Sequence, residues 1–117
     1  MSTDHRKLSA FKLADQFVVR VYDATRDFPP AERYGLRSQL RRAAVSVPTN
    51  IVEGCARDSD REHSRFFEVA LGSGREALYL IDLAARLELV DRRVADELTA
   101  LGGRAAAALA GLRKSIQ

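Results

Sequence analysis

The chain has one cysteine, three prolines, two histidines and no tryptophan among its 117 residues. A single cysteine, Cys55, excludes an internal disulfide and agrees with a reducing compartment. With only His5 and His63 and no second cysteine, there is no HExxH motif and no paired-cysteine motif. No metal, cofactor or small-molecule substrate is therefore expected. No apolar run approaches the ~18 residues of a membrane span, and the opening MSTDHRKLSAF has no apolar core of the secretory kind. The expected compartment is the cytoplasm, with no membrane partner. No stretch alternates apolar and polar residues in the way a half-buried strand requires.

What is present is a 46% apolar, 30% charged composition, that of one globular domain. The formal charge of +3 is modest, but most of the basic residues are arginine. A GC-rich genome can produce that bias without function. Arginine also suits phosphates and interface ion pairs through its planar fork of donors.

Apolar periodicity predicts four helices. Phe11, Ala14, Phe17, Val21 and Thr25 recur at three- and four-residue steps and define helix one, from Leu8 to about Asp27. Pro29 and Pro30 end that pattern, and helix two is expected from about Ala31 to Ala56. Ser59 to Glu62 reads as a capping box, so helix three should run from near Asp60 to about Leu89. Asp91 is a candidate cap for helix four, with a seam of Val94, Leu98, Leu101, Ala105, Ala108 and Leu112. The short connections favour an all-α, antiparallel up-down-up-down four-helix bundle over residues 8–117, preceded by a disordered tail at 1–7. Helix three is apolar around most of its circumference, through Leu78, Tyr79, Leu80, Ile81, Leu83 and Leu87. One reading is a wide stripe shielded by arginine stems. The favoured one is a subunit interface centred on Leu78, Leu80 and Leu83.

The stretch RRAAVSVPTNIVEG, Arg41 to Gly54, places a proline in the middle of helix two. Pro48 lacks a donor and crowds the carbonyl a turn earlier, which costs a straight helix ~3 kcal/mol, so a kink is expected there. Ser46, Thr49 and Asn50 can bond the carbonyls so exposed, and Gly54 should end or loosen the helix. The small residues Gly72, Ser73 and Gly74 are the expected neighbour at this crossing. No strand precedes them and no Lys-Ser/Thr follows, so a phosphate cradle is excluded.

These residues carry a resemblance. Phe28 and Pro29, Glu32, Tyr34 to Leu36, Gln39 to Gly54, Arg57, and Ala70 to Ser73 resemble the bacterial four helix bundle protein family of the 23S rRNA-intervening sequence type. The resemblance spans nearly the whole chain from Phe11 onward. It implies a four-helix protomer in a ring-like homopentamer. It also implies kinship with accessory proteins of retroelement reverse transcriptases, which are thought to bind nucleic acid through a basic surface. The sequence departs from that pattern at His63, where an aromatic or aliphatic residue is expected, and at Leu78 to Leu80, where many members carry polar residues.

Catalytic constellations are sparse. Cys55 with His63 could pair a thiol and a base, but a buried structural cysteine is the commoner case. The spacing from Arg57 to His63 faintly resembles the Arg and His pair of helical RNases of the HEPN class, which would make the chain a metal-independent RNase. Glu53 could be a general base, and is better read as an ion-pair or capping partner. The strongest functional feature is basic. Arg33, Arg37 and Arg41 lie four apart with Arg42 adjacent, and like charges at that spacing repel unless partnered. The partner is either RNA or DNA phosphate, or acidic residues such as Glu68 or Asp82 on another helix or subunit. The sequence thus favours a non-enzymatic homo-oligomer that binds nucleic acid or scaffolds a nucleic-acid enzyme such as a reverse transcriptase. The alternative is a purely structural interaction protein.

Overall fold

The computed structural model describes residues 3–116, and among these every regular element is helical. The helices are α1 (Ser9–Thr25), α2 (Leu36–Cys55), α3 (Asp60–Arg86) and α4 (Arg92–Ser115). Each packs against two others: α1 against α2 and α4, and α3 against α2 and α4. The molecule measures 45 × 24 × 19 Å, its long axis set by the 27-residue α3 at ~1.5 Å per residue.

The core forms two clusters along this axis. One gathers Phe17, Val21, Leu40, Leu80, Ile81 and Leu98. The other gathers Ala14, Val47, Ile51, Phe67, Ala70 and Leu109. On α1 the buried positions are Ala10, Ala14, Phe17, Val21 and Thr25, with Phe11 only partly covered. On α4 they are Ala95, Leu98, Gly102, Ala105 and Leu109. The expected α4 seam is therefore turned: Leu98 and Ala105 keep their place, while Val94, Leu101, Ala108 and Leu112 flank it. Gly102 takes the central position because a methyl there would lie 2.9 Å from both Leu78 Cδ2 and Phe17 Cε1.

Local chemistry moves the helix ends inward from the expected ones. The Thr25 hydroxyl donates to the Val21 carbonyl at 2.8 Å, and α1 stops there. After Pro29 the chain makes only a 3₁₀ turn, Pro30–Glu32, and α2 starts at Leu36 instead of Ala31. Gly35 offers no capping side chain, and Glu32 reaches forward so that its Oε1 accepts from the Leu36 N–H at 3.0 Å. At the start of α3 the Ser59 Oγ accepts from the Glu62 N–H at 3.2 Å, while the Glu62 carboxylate faces Arg57 Nε at 4.0 Å. At its end Glu88 adopts φ 61°, and the Leu89 N–H reaches back to the Ala84 carbonyl at 2.9 Å. This left-handed cap closes α3 at Arg86, before the expected Leu89. Asp91 holds the N-cap position of α4 without a side-chain bond.

Residues 1–2 of the expected disordered tail lie outside the described residues, and the rest of it is folded onto the bundle. Asp4 caps a 3₁₀ turn at His5–Lys7, the His5 ring meets Phe11 edge-on at 4.7 Å, and the Thr3 N–H donates to the Cys55 carbonyl at 2.8 Å. That bond gives one of the last carbonyls of α2, which have no partner within the helix, a donor.

α2 continues through the buried Pro48. The Thr49 hydroxyl donates to the Val45 carbonyl at 2.7 Å, and Asn50 Nδ2 donates to the Ser46 carbonyl at 2.8 Å and to Ser46 Oγ at 2.9 Å. α2 and α3 meet here through a hydrogen bond between the Ser46 and Ser73 hydroxyls at 2.8 Å. The close approach expected at Gly72 is not found: apart from its own stretch of helix, no atom lies within 4 Å of where its Cβ would be, and Gly74 has only Val47 Cγ2 at 3.8 Å. The tight crossing is one end further along, at Gly54, where a Cβ would come within 2.7 Å of Phe67 Cε1.

Candidate nucleic-acid interface

Where α1 ends and α2 begins, a groove is lined by Tyr22, Arg33, Tyr34, Arg37, Arg41 and Arg42. Arg33 lies in the turn before α2, so the expected run of Arg33, Arg37 and Arg41 on one helix is broken at its first member. The groove nevertheless brings all four candidate arginines to one surface.

They are not equivalent. Arg41 is spent on the fold: its Nε donates to Thr25 Oγ1 at 2.8 Å and its Nη2 to the Tyr22 carbonyl at 3.2 Å. Its guanidinium also lies over the Tyr22 ring, 4.2 Å from the centroid. It clasps the first turns of α2 to the C-terminal end of α1, where a cation also meets the negative pole of the helix dipole. Arg33 and Arg42 are exposed and Arg37 is half-buried. Among the described residues none of these three lies within 4.0 Å of a carboxylate. The acidic partners considered for them within the chain are taken by others: Glu68 pairs with Arg113 at 2.9 Å, and Asp82 with Arg86 at 2.9 Å and Arg92 at 3.2 Å. The hydrogen bond from Arg92, with the nearby charge of Arg86, holds the Asp82 carboxyl below its ordinary pKa. Beside the groove, Arg42 borders a second hollow with Gln39, Ser46, Ser73 and Glu76.

The groove also has aromatic members, which arginine spacing does not reveal. Tyr34 is 89% exposed, the most open of the large hydrophobic side chains among the described residues, and Tyr22 is 41% exposed. The available signal was a tyrosine in a proline-broken turn, one residue after an arginine.

The catalytic candidates resolve into structural parts. His63 is buried, its Nε2 bonded to the Arg57 carbonyl and its ring 6.2 Å from that of Phe67. It ties the α2–α3 connection to α3, and its side chain is closed to solvent. Glu53 forms an ion pair with Arg57 at 2.8 Å, one helical turn apart. Cys55 is 2% exposed, and burial, with a smaller contribution from the negative charge of Asp4, pushes its thiol pKa up, away from nucleophile chemistry. Among the described residues no group of three or more His, Cys, Asp or Glu side chains could hold a metal ion. No helix among them is long and apolar enough to cross a membrane.

The interface candidates on α3 also separate. Leu80 is only 3% exposed and belongs to the protomer's own core, with Leu78 and Leu83 packed partly against it. The apolar side chains that α3 leaves in solvent are Val69 at 47% and Tyr79 at 58%. Leu87, just beyond its last turn, is also exposed.

The molecule is thus an all-α, four-helix protein with a basic, aromatic groove at one end. The model of the 23S rRNA-intervening sequence protein family matches residues 6–111, and the chain belongs to that family. A crystal structure of a protein of unknown function from the S23 ribosomal protein family of Bacteroides thetaiotaomicron VPI-5482 is similar in fold. The two superpose with a TM-score of 0.83 at 19% identity, over 90% of this chain and 98% of that one. No curated protein matches the chain.

Proposed function

We propose that this protein is a non-enzymatic, cytoplasmic four-helix bundle that binds nucleic acid through the groove at the α1–α2 end. The observation that carries the proposal is the set of three arginines, Arg33, Arg37 and Arg42, that share one surface without a carboxylate partner among the described residues. Elsewhere the arginines of this chain are commonly paired, as in Arg20 with Glu97 and Arg93 with Glu97. Unpaired guanidinium groups at close spacing repel one another, and phosphate relieves that repulsion while releasing counterions.

The up-down-up-down arrangement is supported by cross-helix pairs that run in opposite order: Glu68 with Arg113 and Asp82 with Arg92, and Arg41 with Tyr22 at the α1–α2 end. A bend of α2 at Pro48 is supported by the side-chain bonds from Thr49 and Asn50 to the carbonyls of Val45 and Ser46. Self-association into a ring-like homopentamer follows from the resemblance, and the exposed Val69 and Tyr79 of α3 support a subunit contact there. Repeating the groove around a ring would multiply a weak patch into a strong field, suited to holding RNA or DNA for a partner such as a reverse-transcriptase-like enzyme.

Fluorescence anisotropy with labelled RNA and DNA tests the binding. Affinity should be measurable at ~50 mM salt with little sequence preference and fall steeply toward ~200 mM as counterion release is lost. Replacing Arg33, Arg37 and Arg42 together by glutamine should flatten that dependence without changing the oligomer mass. Absence of binding at the lower salt, or a changed mass in the triple variant, would favour a purely structural protein whose arginines serve subunit contacts. RNA should remain intact throughout in the presence of a chelator, since the RNase reading has its histidine buried.

A further inference from the structure

We infer that the groove between the end of α1 and the start of α2 takes a single strand of nucleic acid and that the Tyr34 ring is a platform on which an unpaired base stacks. The inference rests on the nucleic-acid reading above and adds to it the form of the nucleic acid recognised.

Tyr34 stands on the turn between Pro30–Glu32 and α2 and contributes almost none of its surface to the fold. A phenol ring left in water at this exposure stabilises nothing until something covers its faces. The covering groups are specified by its surroundings. Arg33 precedes it in sequence, and Arg37, Arg42 and Ser38 border the same groove, which surrounds an aromatic face with cations and a hydroxyl. That composition matches a strand that alternates phosphates with flat, apolar-faced bases. A protein partner with acidic residues would satisfy the arginines but would not by itself call for an open ring.

The groove also discriminates between strand forms. In a duplex the base faces are stacked on one another, so an exposed ring meets only edges, sugars and phosphates. The first turns of α2 are held down by Arg41, whose guanidinium is bonded back to Thr25 and Tyr22 of α1. The same clasp fixes Tyr22 as a second aromatic wall, one that remains 41% exposed. The nearest carboxylate in the sequence, Glu32, is turned onto the Leu36 N–H and so presents less repulsion to a phosphate.

The test compares an unstructured RNA of about 20 nucleotides, DNA of the same sequence, and the corresponding RNA duplex, a length above the ~4–16 nucleotides of typical single-strand sites. Anisotropy should give at least about tenfold tighter binding of the single strands than of the duplex. Tyr34→Ala should weaken single-strand binding about tenfold, Tyr34→Phe should retain it, and neither should change the salt slope, because a stacking contact releases no counterion. Arg37→Gln should instead lower the slope by about one. Since Tyr34 is exposed, circular dichroism of the alanine variant should match the parent. Equal affinity for duplex and single strand, or an alanine variant that binds like the parent, would overturn the stacking inference while leaving nucleic-acid binding intact. Failure of the parent to bind any of the three probes would overturn both, and a preference for RNA over DNA would assign the 2′-hydroxyl a part in the same single-strand site.

Discussion

Gly54 and Gly72 are both helical glycines in the family-like stretches of the chain, and their surroundings give them opposite consequences. At Gly54 an added methyl would meet Phe67 Cε1 at 2.7 Å, Phe67 Cδ1 at 3.0 Å and Phe66 Cβ at 3.1 Å. Phe67 is 2% exposed and lies in the second core cluster, so its ring can yield only by disturbing its neighbours. Gly54→Ala should therefore destabilise by ~1–3 kcal/mol, the usual cost of overpacking. Gly72 has open space, and there Ala only removes the backbone entropy penalty of glycine in a helix, so Gly72→Ala should stabilise by ~0.5–1 kcal/mol. Urea denaturation checks the pair: the midpoints should move in opposite directions, and a neutral Gly54→Ala would show that the α2–α3 crossing has slack. Spacing alone marked the Gly-Ser-Gly run as the place of closest approach because small residues usually permit one. Which small residue faces the neighbour depends on helix phase, and Ser73, the middle member, is the one that bonds across to Ser46.

Among the helices, α2 is the one whose ends are set by its neighbours more than by its own sequence. Its start waits for Glu32 to cap Leu36, and Arg41 then ties its second turn to Thr25 and Tyr22. Arg41→Gln should remove the stacked guanidinium and the bonds to Thr25 and Tyr22, and destabilise by ~1–3 kcal/mol, as loss of a charge-assisted contact does. Arg37→Gln, with no ion pair to lose among the described residues, should leave the thermal midpoint nearly unchanged. Comparing the two by thermal unfolding separates the structural arginine from those free to bind phosphate, and equal effects would mean that the clasp adds nothing. Periodicity made the existence and number of the helices legible, as well as the α1 stripe from Ala14 to Thr25. It could not show that Arg33 falls in a turn, that Glu88 closes α3 in a left-handed cap, or that Leu80 is core. Each of those depends on which partner a side chain or backbone group finds in three dimensions. For the groove, the arginines were legible from their spacing. A binding role for Tyr34 is not legible in the same way, because an aromatic residue reads first as core, and only its 89% exposure marks it as something else.

Across the whole molecule, charge and apolar surface are distributed unevenly. Ion pairs such as Arg113 with Glu68, Arg92 with Asp82 and Arg20 with Glu97 join α4 to α3 and α1. These pairs are exposed and each contributes little to stability, whereas Arg33, Arg37 and Arg42 share the α1–α2 groove without such a pair among the described residues. On α3, Val69 and Tyr79 lie on one face in register with the open Gly72, and Tyr79 is flanked by Arg86, 5.9 Å from its ring centroid. If this face is the contact between protomers, light scattering at micromolar protein should give about five times the 13.0 kDa chain mass, as expected for a closed ring. Leu80 is unsuitable for probing it, because a charge at a residue 3% exposed would unfold the protomer and lower the mass for the wrong reason. Tyr79→Glu combined with Val69→Lys places charges on exposed positions that a folded monomer tolerates and that the dry centre of an interface does not. The double variant should keep its helical circular dichroism and its cooperative thermal transition while its mass falls toward that of one chain. A parent protein that scatters as a monomer would remove the ring, and an unchanged mass in the double variant would move the contact to another face of the bundle.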